Sequence, residues 1–293
     1  MAHRAGFVNI VGNPNVGKST LMNVLVGERI SIITSKSQTT RHRIMGIVNT
    51  DEYQIVYSDT PGVLEPKYKL QETMLQFSRS ALTDADVILY VTDVWEKSDR
   101  NANFLNKVRA CEIPTLLIIN KIDESNQEAI EALSQRWQID LPNAEIILVS
   151  ALNKFNTSYV MDKIVKLLPE SEPFFEKDAL TDKPMRFFVS EIIREKILLH
   201  YDKEIPYSVE VVVDSYEEQP HIVHIHATIF VERDSQKGIV IGHKGSALKI
   251  VGTEARKDIE AFIDNKVFLE LKVKVDKDWR SQEKRLKNFG YLS

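Results

Sequence analysis

Apolar residues in this chain come in two periods, and the period changes back and forth in a regular order. Phe7–Val11, Val87–Val94, Thr115–Ile119 and Glu145–Val149 are apolar runs of strand length, the pattern of strands buried on both faces. Ile44–Val48 and Tyr53–Tyr57 alternate on either side of Asn49–Glu52, which is a hairpin signal. Helical spacing appears right after the first run, over Leu21–Val26. It returns over Leu70–Thr83, Asp99–Cys111, Gln127–Trp137 and Ser158–Leu168. Strands alternating with helices predict a doubly wound α/β sheet, with ligand loops at the carboxyl ends of its strands.

The pattern then changes. Leu168–Pro173 closes the last of these helices, and the stretch as far as Pro184 is rich in Pro, Glu and Asp. This predicts a domain over residues 1–170, a linker over 171–184 and a second domain over 185–293. Phe174 and Phe175 inside the linker are expected to dock on a domain surface. Beyond it, Arg186–His200 reads as an amphipathic helix, Tyr207–Val213 and Ile222–Val231 as strands, Ser246–Phe262 as a helix and Val267–Val275 as a strand. Asp278–Lys287 reads as a last basic helix. That order is α+β.

Composition narrows the class. With 293 residues, 43% of them apolar and 27% charged, the chain suits two soluble domains, each with its own core. Its one cysteine, Cys111, excludes an intrachain disulfide and a cysteine-based zinc cluster; it reads as a packing residue in a reducing compartment. No apolar run approaches the roughly 20 residues that cross a bilayer. The first strand begins almost at once, so no signal peptide is expected. The net charge of −4 conceals a distribution: Lys237–Lys287 holds 13 basic and 8 acidic residues, which suggests a polyanion-facing surface.

The chemistry lies at the ends of the predicted strands. Gly12-Asn13-Pro14-Asn15-Val16-Gly17-Lys18-Ser19 follows the first strand and, with Thr20, opens the first helix, matching G-x-x-x-x-G-K-S/T. Glycines let successive N–H groups turn inward around phosphate oxygens, and the helix N-terminus adds partial positive charge. Lys18 would reach the β and γ phosphates, and Ser19 would hold Mg²⁺. Asp59-Thr60-Pro61-Gly62 ends another strand; Asp59 would bind Mg²⁺ through water, and the Gly62 N–H would meet a γ-phosphate. Asn120-Lys121-Ile122-Asp123 ends a third. An aspartate there accepts from both N1–H and the N2 amino group of guanine, an arrangement adenine does not offer, so Asp123 predicts GTP as the ligand. Ser150-Ala151-Leu152 ends the last strand, where backbone groups would contact the guanine O6.

Ile239-Val240-Ile241-Gly242-His243-Lys244-Gly245 carries a G-x-x-G loop after two strands and before a long helix and a third strand. This is the order of a prokaryotic-type (type II) KH domain, in which the loop admits a nucleic-acid backbone and the adjoining groove receives unpaired bases. His243 and Lys244 would face phosphates. Ile241, Gly242, Gly245 and Lys249 complete the expected RNA-binding set, while Ile239 and Ile241 read as core, with one of them open to lining the groove. His224 and His226 share a strand face, and with no third ligand in view they read as structural.

The phosphate loop with Gln38-Thr39-Thr40-Arg41-His42-Arg43, and the KH pattern behind it, resembles the Era family of bacterial GTPases. The resemblance covers nearly the whole chain and implies a GTP-hydrolysing switch. By it, Thr40 contacts Mg²⁺ and the γ-phosphate, with Thr39 the alternative, and Lys18, Thr40 and Gly62 serve hydrolysis. It also implies that Asn15 contacts a potassium ion. The partner implied is the single-stranded 3′ end of 16S rRNA, during small ribosomal subunit assembly and rRNA maturation. A cytoplasmic monomer is expected, with peripheral contact at the cytoplasmic face of the inner membrane. Val63 stands where many small GTPases carry the glutamine that orients the attacking water, so another group must position the water or intrinsic hydrolysis must be slow. Pro14 crowds the usual route of an arginine finger. A tRNA-modifying GTPase would carry a C-terminal cysteine, and a tandem GTPase a second phosphate loop; neither is present. An RNA-binding scaffold with a nearly inert nucleotide site is the remaining rival.

Overall fold

A computed structural model describes residues 3–96 and 101–292. The chain forms two compact units, the first built from 1–31, 40–67 and 71–182, the second from 32–39, 68–70 and 183–293.

In the first unit, β1 (Arg4–Gly12) and α1 (Lys18–Val26) flank the phosphate loop, and β2 (Ile44–Asn49) and β3 (Tyr53–Asp59) make the expected antiparallel hairpin. Then come α2 (Lys69–Ser80), β4 (Val87–Asp93), α3 (Ala102–Arg109), β5 (Thr115–Asn120), α4 (Gln127–Asp140), β6 (Glu145–Leu148) and α5 (Thr157–Leu167). The helix expected from Asp99 has its first two residues outside the described ones. The six strands run in the order β2-β3-β1-β4-β5-β6, parallel from β3 to β6. Every residue of β4 is buried, which is why its sequence is a continuous apolar run and not an alternation. Local signals set the ends: α1 stops at Gly27 in the left-handed region (φ +86°), and the Asn126 side chain accepts from Ala129 N at the start of α4.

The stretch expected to be a linker belongs to this unit as far as Asp182. Ile47 N donates to Leu180 O (2.8 Å), Gln54 Nε2 to Phe175 O (2.8 Å), and the Phe174 ring lies 5.0 Å from that of Phe7. Its backbone finds partners along β2 and β3, so a polar, proline-rich composition here marks an edge covering and not a tether. Cys111 packs against the apolar cluster of this unit, as expected.

The second unit runs α6 (Met185–His200), α7 (Ile205–Ser208), β7 (Glu210–Gln219), β8 (Ile222–Val231), α8 (Asp234–Ile241), α9 (Ser246–Ile263), β9 (Val267–Val275) and α10 (Glu283–Asn288). Its sheet has β8 in the middle, antiparallel to β7 and parallel to β9. Val189, Ile193 and Ile197 of α6 and Val251, Ala255 and Ile259 of α9 join Ile225 and Ile229 of β8 in one core. The strand expected from Tyr207 starts three residues later, because Pro206 lacks an N–H for a ladder and sits in the helical turn α7. The last helix is likewise shorter than expected, a 3₁₀ turn at Trp279–Ser281 preceding α10. His226 Nδ1 lies 3.2 Å from Glu270 Oε2, and the rings of His224 and His226 pack on Phe268.

Residues 32–39, which fall in the first domain predicted from sequence, are held in the second unit. Ile33 N donates to Glu195 Oε1 (3.2 Å), Ser37 Oγ to the Tyr207 hydroxyl (3.4 Å), and Arg194 Nη2 to the Thr39 carbonyl. Arg194 is buried and braced by the Glu191 carboxylate.

Candidate nucleotide site and nucleic-acid groove

The phosphate loop is shaped by two glycines at backbone angles where a side chain would be strained. At Gly12 (φ +147°) a Cβ would stand 2.1 Å from Val91 O, and at Gly17 (φ +92°) it would stand 2.2 Å from Asn120 Nδ2. Lys18 is buried, with Nζ donating to Gly12 O (3.1 Å) and Asn13 O (2.8 Å). Burial lowers its pKa to about 8 against the pull of Asp59 and Glu96. An ammonium so poorly solvated gains strongly from phosphate oxygens.

At the start of α1, Ser19 Oγ donates to Asp59 Oδ2 (2.6 Å) and lies 2.8 Å from Thr40 Oγ1, which is itself 3.3 Å from Asp59 Oδ2. The alternative, Thr39, is spent elsewhere: its hydroxyl pairs with Thr34 Oγ1 (2.6 Å) and Lys36 O (2.7 Å). Of the two, Thr40 is the one beside Ser19 and Asp59. Burial raises the Asp59 pKa, offset by Ser19, Lys18 and Thr40 among others. Asp59 Oδ1 is buried without a hydrogen-bond partner. An orphan carboxylate oxygen beside two hydroxyls is an all-oxygen donor set, which fits Mg²⁺.

Gly62 lies against the loop, where a Cβ would be 2.7 Å from Pro14 N and Cα. At the base-reading end, Asn120 bridges protein to protein, with Nδ2 donating to Val16 O (2.9 Å) and Oδ1 accepting from Ala151 N (3.0 Å). It ties the phosphate loop to the Ser150–Leu152 loop. Lys121 Nζ binds Asn15 O (2.7 Å) and Asp93 Oδ2 (2.6 Å), and Asp123 is exposed beside it. Ser150 and Ala151 are buried, while Leu152 is 77% exposed. Asn15 itself has a left-handed backbone, φ 68°.

In the second unit, Gly242 (φ +73°), Lys244 (φ 49°) and Gly245 (φ +80°) make the loop between α8 and α9, with His243 and Lys244 exposed. Beside it lies a groove of about 360 Å³ whose lining includes Gly245, Leu248, Lys249, Gly252, Arg256 and Leu271. Of the two isoleucines, Ile241 packs against the core and Ile239 is 56% exposed, so Ile241 alone is core, and neither is among the groove's lining residues. Leu248, Gly252 and Arg256 were missed from sequence; with the expected Lys249 they follow Gly245 at the helical spacing that places them along one side of α9.

A nucleotide site of this construction on a doubly wound sheet, followed by a type II KH module, defines a GTPase with an RNA-binding domain. Family models for a 50S ribosome-binding GTPase and for a KH domain match residues 7–121 and 204–280. The chain is 44% identical to GTPase Era of Alkaliphilus metalliredigens (strain QYMF), over 99% of its own length and 100% of the relative's. It belongs to the Era family. A crystal structure of a variant of Aquifex aeolicus Era bound to GDP.AlF4- superposes with a TM-score of 0.95 at 38% identity, covering 99% of this chain and 100% of that one. A structure of Era with MgGDPNP and nucleotides 1506–1542 of 16S ribosomal RNA gives the same values.

Proposed function

We propose that this chain is a Mg²⁺-dependent GTPase switch that binds 16S rRNA near its 3′ end through the KH groove and assists small-subunit assembly and rRNA maturation. The observation that carries the reading is the oxygen cluster of Ser19, Thr40 and Asp59 beside the phosphate loop. These residues would hold Mg²⁺, which neutralises charge developing on the β and γ phosphates. Lys18 would bind those phosphates, Gly62 would offer its N–H to the γ-phosphate, and Asp123 would select guanine. Potassium at Asn15 is proposed as the cation replacing an arginine finger; equal turnover in sodium and potassium would remove it.

GTP would order residues 40–43 and 59–67 through Thr40 and Gly62. Residues 32–39 and 68–70, adjoining them in sequence, belong to the second unit, so ordering is carried along the chain. A cytoplasmic monomer with peripheral contact at the inner membrane completes the reading, on the strength of the family alone; no helix among the described residues is long and apolar enough to cross a membrane.

The test is binding of a labelled single-stranded RNA of the 16S 3′-end sequence, with a GTP analogue, with GDP and without nucleotide. Binding that is tightest with the GTP analogue and at least about tenfold weaker in Lys249→Glu supports the reading. Equal binding in all three states removes the switch, and no binding removes the RNA partner. A wild type that releases no phosphate from GTP, with or without RNA, would return the chain to the scaffold reading.

A further inference from the structure

Val63 is 3% exposed and carries no polar atom in its side chain, yet its backbone is held on both sides. Its N–H donates to Gly12 O (3.1 Å), and its carbonyl accepts from Asn101 Nδ2 (2.9 Å). Asn101 Nδ2 also donates to Asn13 Oδ1. Asn13 Nδ2 in turn donates to Glu96 Oε1, and Glu96 Oε2 accepts from Thr92 Oγ1 (2.7 Å). Thr92, Glu96, Asn13, Asn101 and Val63 therefore form one connected series within the first unit. It joins β4, the phosphate loop and the segment after Asp59.

The direction of each bond follows from the chemistry of its ends. Glu96 Oε1 accepts whether or not the far oxygen carries a proton, so Asn13 must turn its NH₂ toward Glu96 and its oxygen toward Asn101. Asn101 then faces two oxygens, and only its NH₂ can satisfy both. One carboxylate thus sets two amide orientations. Asn13 is 2% exposed and Glu96 9%, so water competes little for these bonds.

The consequence lies in the catalytic gap at position 63. No side chain there can orient the attacking water, so orientation falls to the backbone around Gly62, whose N–H is expected at the γ-phosphate. A displacement of about 1 Å at such a group costs on the order of 10²-fold in rate. We infer that Asn101 is a positioning residue for GTP hydrolysis: supported by Asn13 and Glu96, it holds the Gly62–Val63 backbone against the phosphate loop. The inference rests on the reading of this site as a GTPase.

The experiment measures single-turnover GTP hydrolysis and GTP affinity on the full chain. Asn101→Ala should lower the rate constant about tenfold while GTP affinity stays within about twofold of wild type. Asn101→Asp sets a carboxylate against two acceptor oxygens and should lose more. Glu96→Ala frees the Asn13 amide to rotate and should resemble Asn101→Ala. Glu96→Gln keeps an acceptor for Asn13 and can turn its NH₂ to the Thr92 hydroxyl, so it should return to within about threefold of wild type. A merely structural role would lower affinity and rate together and would show no rescue by glutamine. That pattern, or wild-type turnover in Asn101→Ala, would overturn the inference. A wild type without turnover would overturn the GTPase reading beneath it.

Discussion

Ser19 Oγ donates to Asp59 Oδ2 across 2.6 Å, joining the phosphate loop to the D-x-x-G segment forty residues further along the chain. The other oxygen of Asp59 is left buried and unpartnered. Two hydroxyls beside a carboxylate with an unpartnered oxygen make a donor set that would suit Mg²⁺. Chelation of Mg²⁺ should therefore stop GTP turnover, and Asp59→Asn should lower it by roughly 10²-fold or more. Phosphate release over a Mg²⁺ titration checks this; unchanged turnover in EDTA would remove the metal from the site.

Asp123 predicts a change of specificity and not a simple loss. Its carboxylate would accept from guanine N1–H and N2; an amide at the same place offers one acceptor and one donor, which suits a base with a carbonyl at C2. Asp123→Asn should lose GTP affinity by roughly 10² to 10⁴-fold and gain affinity for the xanthine nucleotide. Competition between labelled GDP and XDP decides it.

Gly242 and Gly245 should differ in their tolerance of a side chain. A Cβ on Gly242 would sit 2.6 Å from Ala247 Cβ and 2.9 Å from Ala247 N, in addition to the backbone strain at φ +73°; Gly245 has nothing within 4 Å. Gly242→Ala should destabilise the second unit by about 2–4 kcal/mol and Gly245→Ala by about 1 kcal/mol. Lys249→Glu, on exposed helix surface, should leave stability unchanged while weakening RNA binding. Urea unfolding of the three variants, followed by RNA titration, separates a folding defect from a binding defect.

Glu96 should make stability depend on pH. Burial raises its pKa above the ordinary carboxylate value, against the hydrogen bonds from Thr92 and Asn13 and the attraction of Lys18. A carboxyl with a folded-state pKa above its unfolded one binds its proton more tightly when folded. Its contribution is therefore fully present below the unfolded pKa of about 4.3 and is lost as pH rises through the folded value. Glu96→Gln cannot lose a proton, so its stability relative to wild type should improve from pH 4.5 to pH 7.5. Thermal melts of both proteins across that range test the sign.

The sequence by itself determined whatever depends on neighbours along the chain. The phosphate loop, Asp59, Asp123 and the Gly242–Gly245 loop were legible because a backbone turn needs its glycines, and a ligand needs its donors, within a few residues of a strand or helix end. The two periods of apolar residues gave the sheet order its raw material for the same reason. Tertiary structure decided what depends on pairings between distant residues. Thr39 and Thr40 are adjacent in sequence, and only the arrival of Asp59 and Ser19 distinguishes Thr40 as the one beside the carboxylate. Asn120 stands in the base-reading motif, and only the fold shows that its amide also ties Val16 to Ala151. Residues 171–182 are rich in Glu and Asp, yet they pair along β2 and β3, and residues 32–39 leave the first unit for the second. The series from Thr92 to Val63 has no signature in the chain, since a hydrogen bond between side chains eighty residues apart leaves no local period or spacing to read.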